Sequence, residues 1–239
     1  MWYYISIPIT VVLYVLGLFL LKHFKNKTIT NIVFCVLVVL FYLAGVIRSY
    51  IVNGLYDWNF TNTLPTANVS PFMFITCPLA IILPKKWREY YKGLISLLAV
   101  GMLLSPLLSM IFNGIRNYTF HYFFCFEYLA HILLSLWGCY FVISKQIELL
   151  PKKAVISGSI IVSVAITMFI LNCIFKTSFF GLAITDSYNI YHMKVVSNPY
   201  LSAVIYFIGL VGVMIIGYLY QKLIYFLFVK KVEQKKEKF

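Results

Sequence analysis

Seven stretches of mostly apolar residues run along the chain, separated by polar or charged intervals. The pattern predicts membrane-crossing helices at 2–21, 30–52, 66–83, 94–112, 122–143, 154–174 and 199–220. An α-helix rises 1.5 Å per residue, so about 20 residues cover a hydrocarbon core of about 30 Å. The predicted fold is therefore all-α: a single polytopic membrane domain over 1–239, ending in a basic tail at 229–239.

The basic residues alternate along these spans, an observation independent of their hydropathy. Lys22, Lys25 and Lys27 follow the first span, and Lys85, Lys86, Arg88 and Lys92 the third. Lys145, Lys152 and Lys153 follow the fifth, and Lys222, Lys230, Lys231, Lys235, Lys236 and Lys238 the seventh. The other side holds Arg48, Arg116, Lys176 and Lys194. Sixteen basic residues against four predict that the first group is cytoplasmic. The amino terminus is then outside and the carboxyl terminus inside. No Lys or Arg precedes Lys22, so the first segment reads as a span and not as a signal peptide.

Composition agrees with lipid as the solvent. Of 239 residues, 62% are hydrophobic and 11% are charged, against about a quarter charged in soluble domains. The net charge of +13 would suggest nucleic acid in a soluble protein. Here the basic residues border apolar runs, where they set topology and meet anionic headgroups. The expected location is the cell membrane and the expected partners are membrane lipids, with no nucleic acid. The five cysteines, Cys35, Cys77, Cys125, Cys139 and Cys173, form no C-x-x-C pair, so neither a zinc site nor a disulfide framework is read. No metal and no cofactor are expected.

Polar side chains at membrane depth are expensive, so each asks for a partner or a task. Glu127 and His131 lie four residues apart, on one face of a helix. A carboxylate and an imidazole so placed can serve as base and orienter, carry a proton, or simply neutralise each other. Asn172, late in its span, can bind a ligand or tie two helices together. Two outer intervals, 53–65 and 176–198, are long enough to fold back as lids or interfacial segments. Tyr188, Asn189 and His192 in the second could close a cavity shared with Glu127. Pro71 and Pro78 in the third span suggest a helix that lines a cavity or is merely kinked. No mid-membrane lysine occurs in the last span, and no H-E-x-x-H, G-x-S-x-G or P-loop pattern occurs anywhere.

The order of these features resembles the YwaF family of bacterial integral membrane proteins, which is similar to eukaryotic transmembrane acyltransferases. The shared features begin with Leu64-Pro65 leading into Asn68-Val69-Ser70-Pro71. They continue with aromatic residues running into His131, then Asn172, Tyr188-Asn189-Ile190-Tyr191 and Asn198-Pro199. The resemblance implies a protein that handles a lipid or acyl chain in an outward-facing cavity, with Glu127 and His131 as the candidate catalytic residues. Asn68, Asn172, Tyr188, Asn189 and His192 would contact the substrate. Family members often place His or Gln and then Cys just after Leu-Pro. This chain has Thr66, Ala67, Asn68 and Val69 there. Neither Ala nor Val replaces a thiol nucleophile, so the expectation leans away from an enzyme. Two readings stand beside it: a small-solute transporter, or a substrate-binding subunit of one, using Glu127 and His131 as a proton site, and a structural or immunity-type membrane protein.

Overall fold

A computed structural model of the chain describes residues 2–54, 69–115, 123–175, 177, 179–182 and 198–230. Among them are seven α-helices and no strand: α1 (Trp2–Leu21), α2 (Lys27–Asn53), α3 (Val69–Ile82), α4 (Lys85–Ile115), α5 (Phe123–Ile143), α6 (Pro151–Phe175) and α7 (Pro199–Tyr225). A 3-10 turn at Phe179–Gly181 and a π turn at Phe226–Lys230 follow α6 and α7. Apolar sequence in lipid takes this form because a helix satisfies its own backbone hydrogen bonds.

The helix ends follow local chemistry. Asn26 caps α2, its side chain accepting from the Ile29 amide at 3.1 Å. Gly54 closes α2 with φ 78°, a left-handed conformation that suits a residue without Cβ. Asn198 caps α7 by accepting from the amides of Tyr200 and Leu201, with Pro199 in the first turn, where its missing N–H is no loss. Pro71 sits in the first turn of α3 for the same reason, so only Pro78 lies inside that helix. The charged interval before the fourth span is helical too: α4 begins at Lys85, where 94 was expected to open the apolar part.

Four stretches are long and apolar enough to cross a membrane: Lys27–Arg48, Lys85–Leu108, Pro151–Phe175 and Tyr200–Lys230. Three shorter apolar helices, Ile7–Leu21, Val69–Ile82 and Tyr128–Ile143, pack among them. The exposed apolar residues lie on the outer faces of the helices, as with Leu13, Leu40, Ile170 and Ile208. Such a surface is at home in lipid and not in water.

Contacts fix the helix directions. Between α2 and α5, Phe34 stacks on Trp137 and Phe41 meets Phe126, so the pair is antiparallel. Between α1 and α5, Tyr128 reaches Thr10 and Tyr14 reaches Ser135, so that pair is parallel. The helix α5 is the axis of the bundle: Ala130, Leu134, Trp137, Tyr140 and Phe141 are all fully buried. Its wrapping by α1, α2, α4 and α7 leaves α6 on the flank, held to α4 by Glu89 and Lys153.

Candidate functional site

The one imidazole at membrane depth on α5 is His131, and it is buried, with 5% of its surface exposed. Its Nε2 shares a hydrogen bond with the Ser70 hydroxyl on α3. The ring meets Phe74 edge-on, centroids 5.0 Å apart, and Ser70 also approaches the Met102 sulfur of α4 at 3.9 Å. The depths of the two residues agree. Ser70 lies 12 residues from the end of α3 at Ile82, and His131 lies 12 from the end of α5 at Ile143. Both helices run toward the basic end of the bundle, so the pair sits about 18 Å from that end. Glu127 is one turn from His131 toward the start of α5, and its side chain lies outside the described residues.

A segment of the last long interval folds against this end. Phe180 is fully buried and meets Phe72 of α3 in a T-shaped contact at 5.6 Å, two residues from Ser70. The backbone of Phe180 is left-handed, φ 57° and ψ 22°, which is unfavourable for a bulky side chain. Asn172 holds it there. Its Nδ2 donates to the carbonyls of Phe179 at 2.8 Å and Leu182 at 2.7 Å. Its Oδ1 accepts from the Thr177 hydroxyl at 2.8 Å and the Phe179 amide at 2.7 Å. Those four bonds use the full capacity of a carboxamide. Asn172 thus organises the loop that covers α3, and in this conformation it offers no free polar atom to a ligand. Asn68, Tyr188, Asn189 and His192 lie outside the described residues.

Cys77 is fully buried further along α3, and its thiol donates to the Met73 carbonyl at 3.3 Å. The hydroxyl beside His131 is that of Ser70. Ser70 does not stand out in the sequence as Glu or His does, because serine is inexpensive in a membrane helix.

Two further polar groups join helices. Midway along, the Tyr14 hydroxyl meets Ser135 Oγ at 2.8 Å and the Tyr220 hydroxyl at 3.0 Å, tying α1, α5 and α7. At the basic end, Gln146 Oε1 accepts from Asn31 at 2.7 Å and from Lys92 at 2.6 Å, and Trp137 donates to Asn31 Oδ1 at 3.2 Å. Lys153 bridges Glu89 at 2.6 Å and Glu148 at 3.0 Å beside a recess lined also by Gly93, Ser157 and Gln221. The recess is at the opposite end of the bundle from His131. Among the described residues no three His, Cys, Asp or Glu side chains converge as metal ligands.

The chain matches no family model, no curated protein and no solved structure.

Proposed function

We propose that this is a seven-span membrane protein, amino terminus outside and carboxyl terminus cytoplasmic, that handles a lipid or acyl chain at the outer end of the bundle, in the manner of the YwaF family it resembles. The observation that carries the reading is the setting of the Ser70–His131 pair. One hydroxyl and one imidazole face each other beside Phe74 and Met102. Apolar walls with a single convergent polar pair suit a ligand that is mostly hydrocarbon with one ester or headgroup. A hydrophilic solute would leave most of its polar groups without partners there, at a cost of about 1–3 kcal/mol for each.

The loop held by Asn172 fits the same role. It packs on α3 through the Phe72–Phe180 contact, at the end of the bundle opposite the basic helix ends. The distribution of basic residues supports the orientation, since the described basic residues of the larger set lie at the end of the bundle opposite this loop.

The test is what the protein carries. Purification in mild detergent, followed by native mass spectrometry and lipid extraction, should yield a defined lipid or acyl species. The double substitution Glu127→Gln with His131→Ala should reduce that species at least several-fold. Recovery of no specific lipid from the unaltered protein, or pH-dependent uptake of a hydrophilic solute into vesicles that Glu127→Gln uncouples, would overturn the reading in favour of transport.

A further inference from the structure

We propose that the recess at the basic end of the bundle binds the headgroup of an aminophospholipid, its primary ammonium beside Glu89 and Glu148 and its phosphate against Lys153. This site stands apart from the His131 end and does not depend on lipid being handled there. The chain has seven acidic residues and twenty basic ones. Two of the seven meet here, Glu89 from α4 and Glu148 from the α5–α6 connection. They share one ammonium, Lys153 Nζ, at 2.6 and 3.0 Å. The second oxygen of each carboxylate has no hydrogen-bond partner among the described residues. Neighbouring bases of α4 are turned elsewhere: Arg88 donates to the Ile81 carbonyl at 3.2 Å and Lys92 to Gln146 at 2.6 Å.

A separate observation points into the same recess. Gln221 of α7 lines it and is only 3% exposed, yet its carboxamide has no hydrogen-bond partner among the described residues. The Ser157 hydroxyl of α6 lines it too, equally buried and equally unpaired. A buried carboxamide without a partner is costly, so such a wall is completed by a group that brings its own donors and acceptors. The wall offers acceptors in the two carboxylates and the Gln221 oxygen. It offers donors in Gln221 Nε2 and in the third hydrogen of Lys153 Nζ. A bare metal ion would leave the donors idle, and a bare anion would leave the carboxylates idle. Water would meet the hydrogen bonds but not the surplus charge of two carboxylates on one ammonium. A ligand that carries an ammonium and a phosphate close together meets all of them.

Depth and width narrow the occupant. Glu89 is in the second turn of α4, Lys153 in the first turn of α6 and Gln221 four residues from the end of α7. With 31 residues, α4 is about 46 Å long, against about 30 Å for the hydrocarbon and about 40–45 Å for a bilayer with its headgroups. The end turns of such a helix lie among headgroups, where phosphate and ammonium groups are most concentrated. The recess has a volume of about 280 Å³ and narrows inside to the width of about one water molecule. A primary ammonium enters a space of that width, and the trimethylammonium of a choline headgroup does not. Leu97 and Ile147 supply apolar wall for the methylene groups between ammonium and phosphate.

The experiment offers the full-length protein, in mild detergent, equimolar phosphatidylethanolamine, phosphatidylcholine and phosphatidylglycerol with identical acyl chains. Native mass spectrometry reads which lipid stays bound. Phosphatidylethanolamine should be retained about tenfold over each of the others, the scale of one charge-assisted hydrogen bond. Glu148→Gln and Gln221→Leu should each reduce that preference several-fold. Gln221→Leu removes a buried unpaired carboxamide, so its melting temperature without lipid should be unchanged or raised, and the gain in melting temperature on adding phosphatidylethanolamine should disappear. Equal retention of the three lipids by the unaltered protein overturns the proposal. So does a preference that survives both substitutions, or one for phosphatidylcholine. Soluble phosphoethanolamine separates the two sources of this chemistry. If it raises the melting temperature through Gln221 while the lipid does not, the ligand is a free zwitterion and the membrane lipid is overturned as occupant.

Discussion

At the scale of the residue, Asn172 shows how a polar side chain in an apolar segment is spent. Its carboxamide is wholly consumed by the Phe179–Leu182 segment, and the backbone strain at Phe180 persists because those bonds over-determine it. Replacing Asn172 with Ala leaves the part-buried Phe179 amide and the buried Leu182 carbonyl without their partners, at up to about 1–3 kcal/mol for each. The expected outcome is a lower melting temperature in detergent and faster tryptic cleavage at Lys176. Asn172→Asp should be no better. It keeps the acceptor but turns a negative oxygen toward two carbonyls that had received N–H donors. A variant with unchanged melting and unchanged cleavage would remove the loop-organising role. The sequence singled out His131 and Asn172 because their types are rare at membrane depth. It could not show whether Asn172 faced a ligand or its own loop, since both satisfy a carboxamide equally. Ser70 was legible as part of a motif and invisible as a partner, because only the packing of α3 against α2 and α4 brings residues 61 positions apart into contact.

At the scale of the element, the helices approach as closely as their small residues permit. A methyl group added to Gly217 of α7 would overlap the Leu97 carbonyl oxygen of α4, and one added to Gly138 of α5 would lie 2.9 Å from the Ile95 carbonyl oxygen. Backbone atoms cannot swing aside as side chains do. Gly217→Ala must therefore push α4 and α7 apart, at a cost of about 1–3 kcal/mol or more. Gly209 and Gly212 are on the same helix, and nothing lies within 4 Å of a Cβ built on either. Alanine there should leave stability unchanged or slightly raised, since it favours the helix by about 1 kcal/mol over glycine. Thermal melting of the three variants in one detergent checks the contrast, and equal effects at Gly217 and Gly212 would contradict the α4–α7 packing. The existence of apolar helices was plain from sequence, because membrane spans are the strongest signal a chain carries. Their faces were not. Segments so uniformly apolar conceal which side is packed, so the central place of α5 and the contacts of Tyr14, Asn31 and Gln146 emerged only from the fold.

At the scale of the whole molecule, the packing gathers at one end of the bundle the helix ends that the alternation of charge groups together. The packing brings the end of α5, through Gln146, to the starts of α2 and α4 at Asn31 and Lys92, and the start of α4 to that of α6 through Glu89 and Lys153. The end of α1 meets the end of α7, where Phe19 contacts Phe228 at 5.3 Å. These are the ends that border the sixteen basic residues of the larger set. One elementary charge moved against a potential of 100 mV costs about 2.3 kcal/mol. With Glu89, Glu148, Glu233 and Glu237 on the side of the sixteen and Asp57 and Asp186 on the other, the two sides carry net charges of +12 and +2. Inverting the chain would carry that excess of ten charges to the positive side, an opposition on the order of 20 kcal/mol. The resulting prediction is all-or-none. Cysteines introduced one at a time for Lys25, Lys86, Lys152 and Lys230 should resist a membrane-impermeant maleimide in intact cells and react once the membrane is opened. A cysteine in place of Lys194 should react in both conditions. Reaction of the Lys25 variant in intact cells would invert the orientation and place the Ser70–His131 pair in the cytoplasmic leaflet. Reaction of the Lys86 variant with protection of Lys152 would instead break the alternation and reduce the number of spans. The labelling pattern therefore also decides which leaflet supplies any lipid that the site handles.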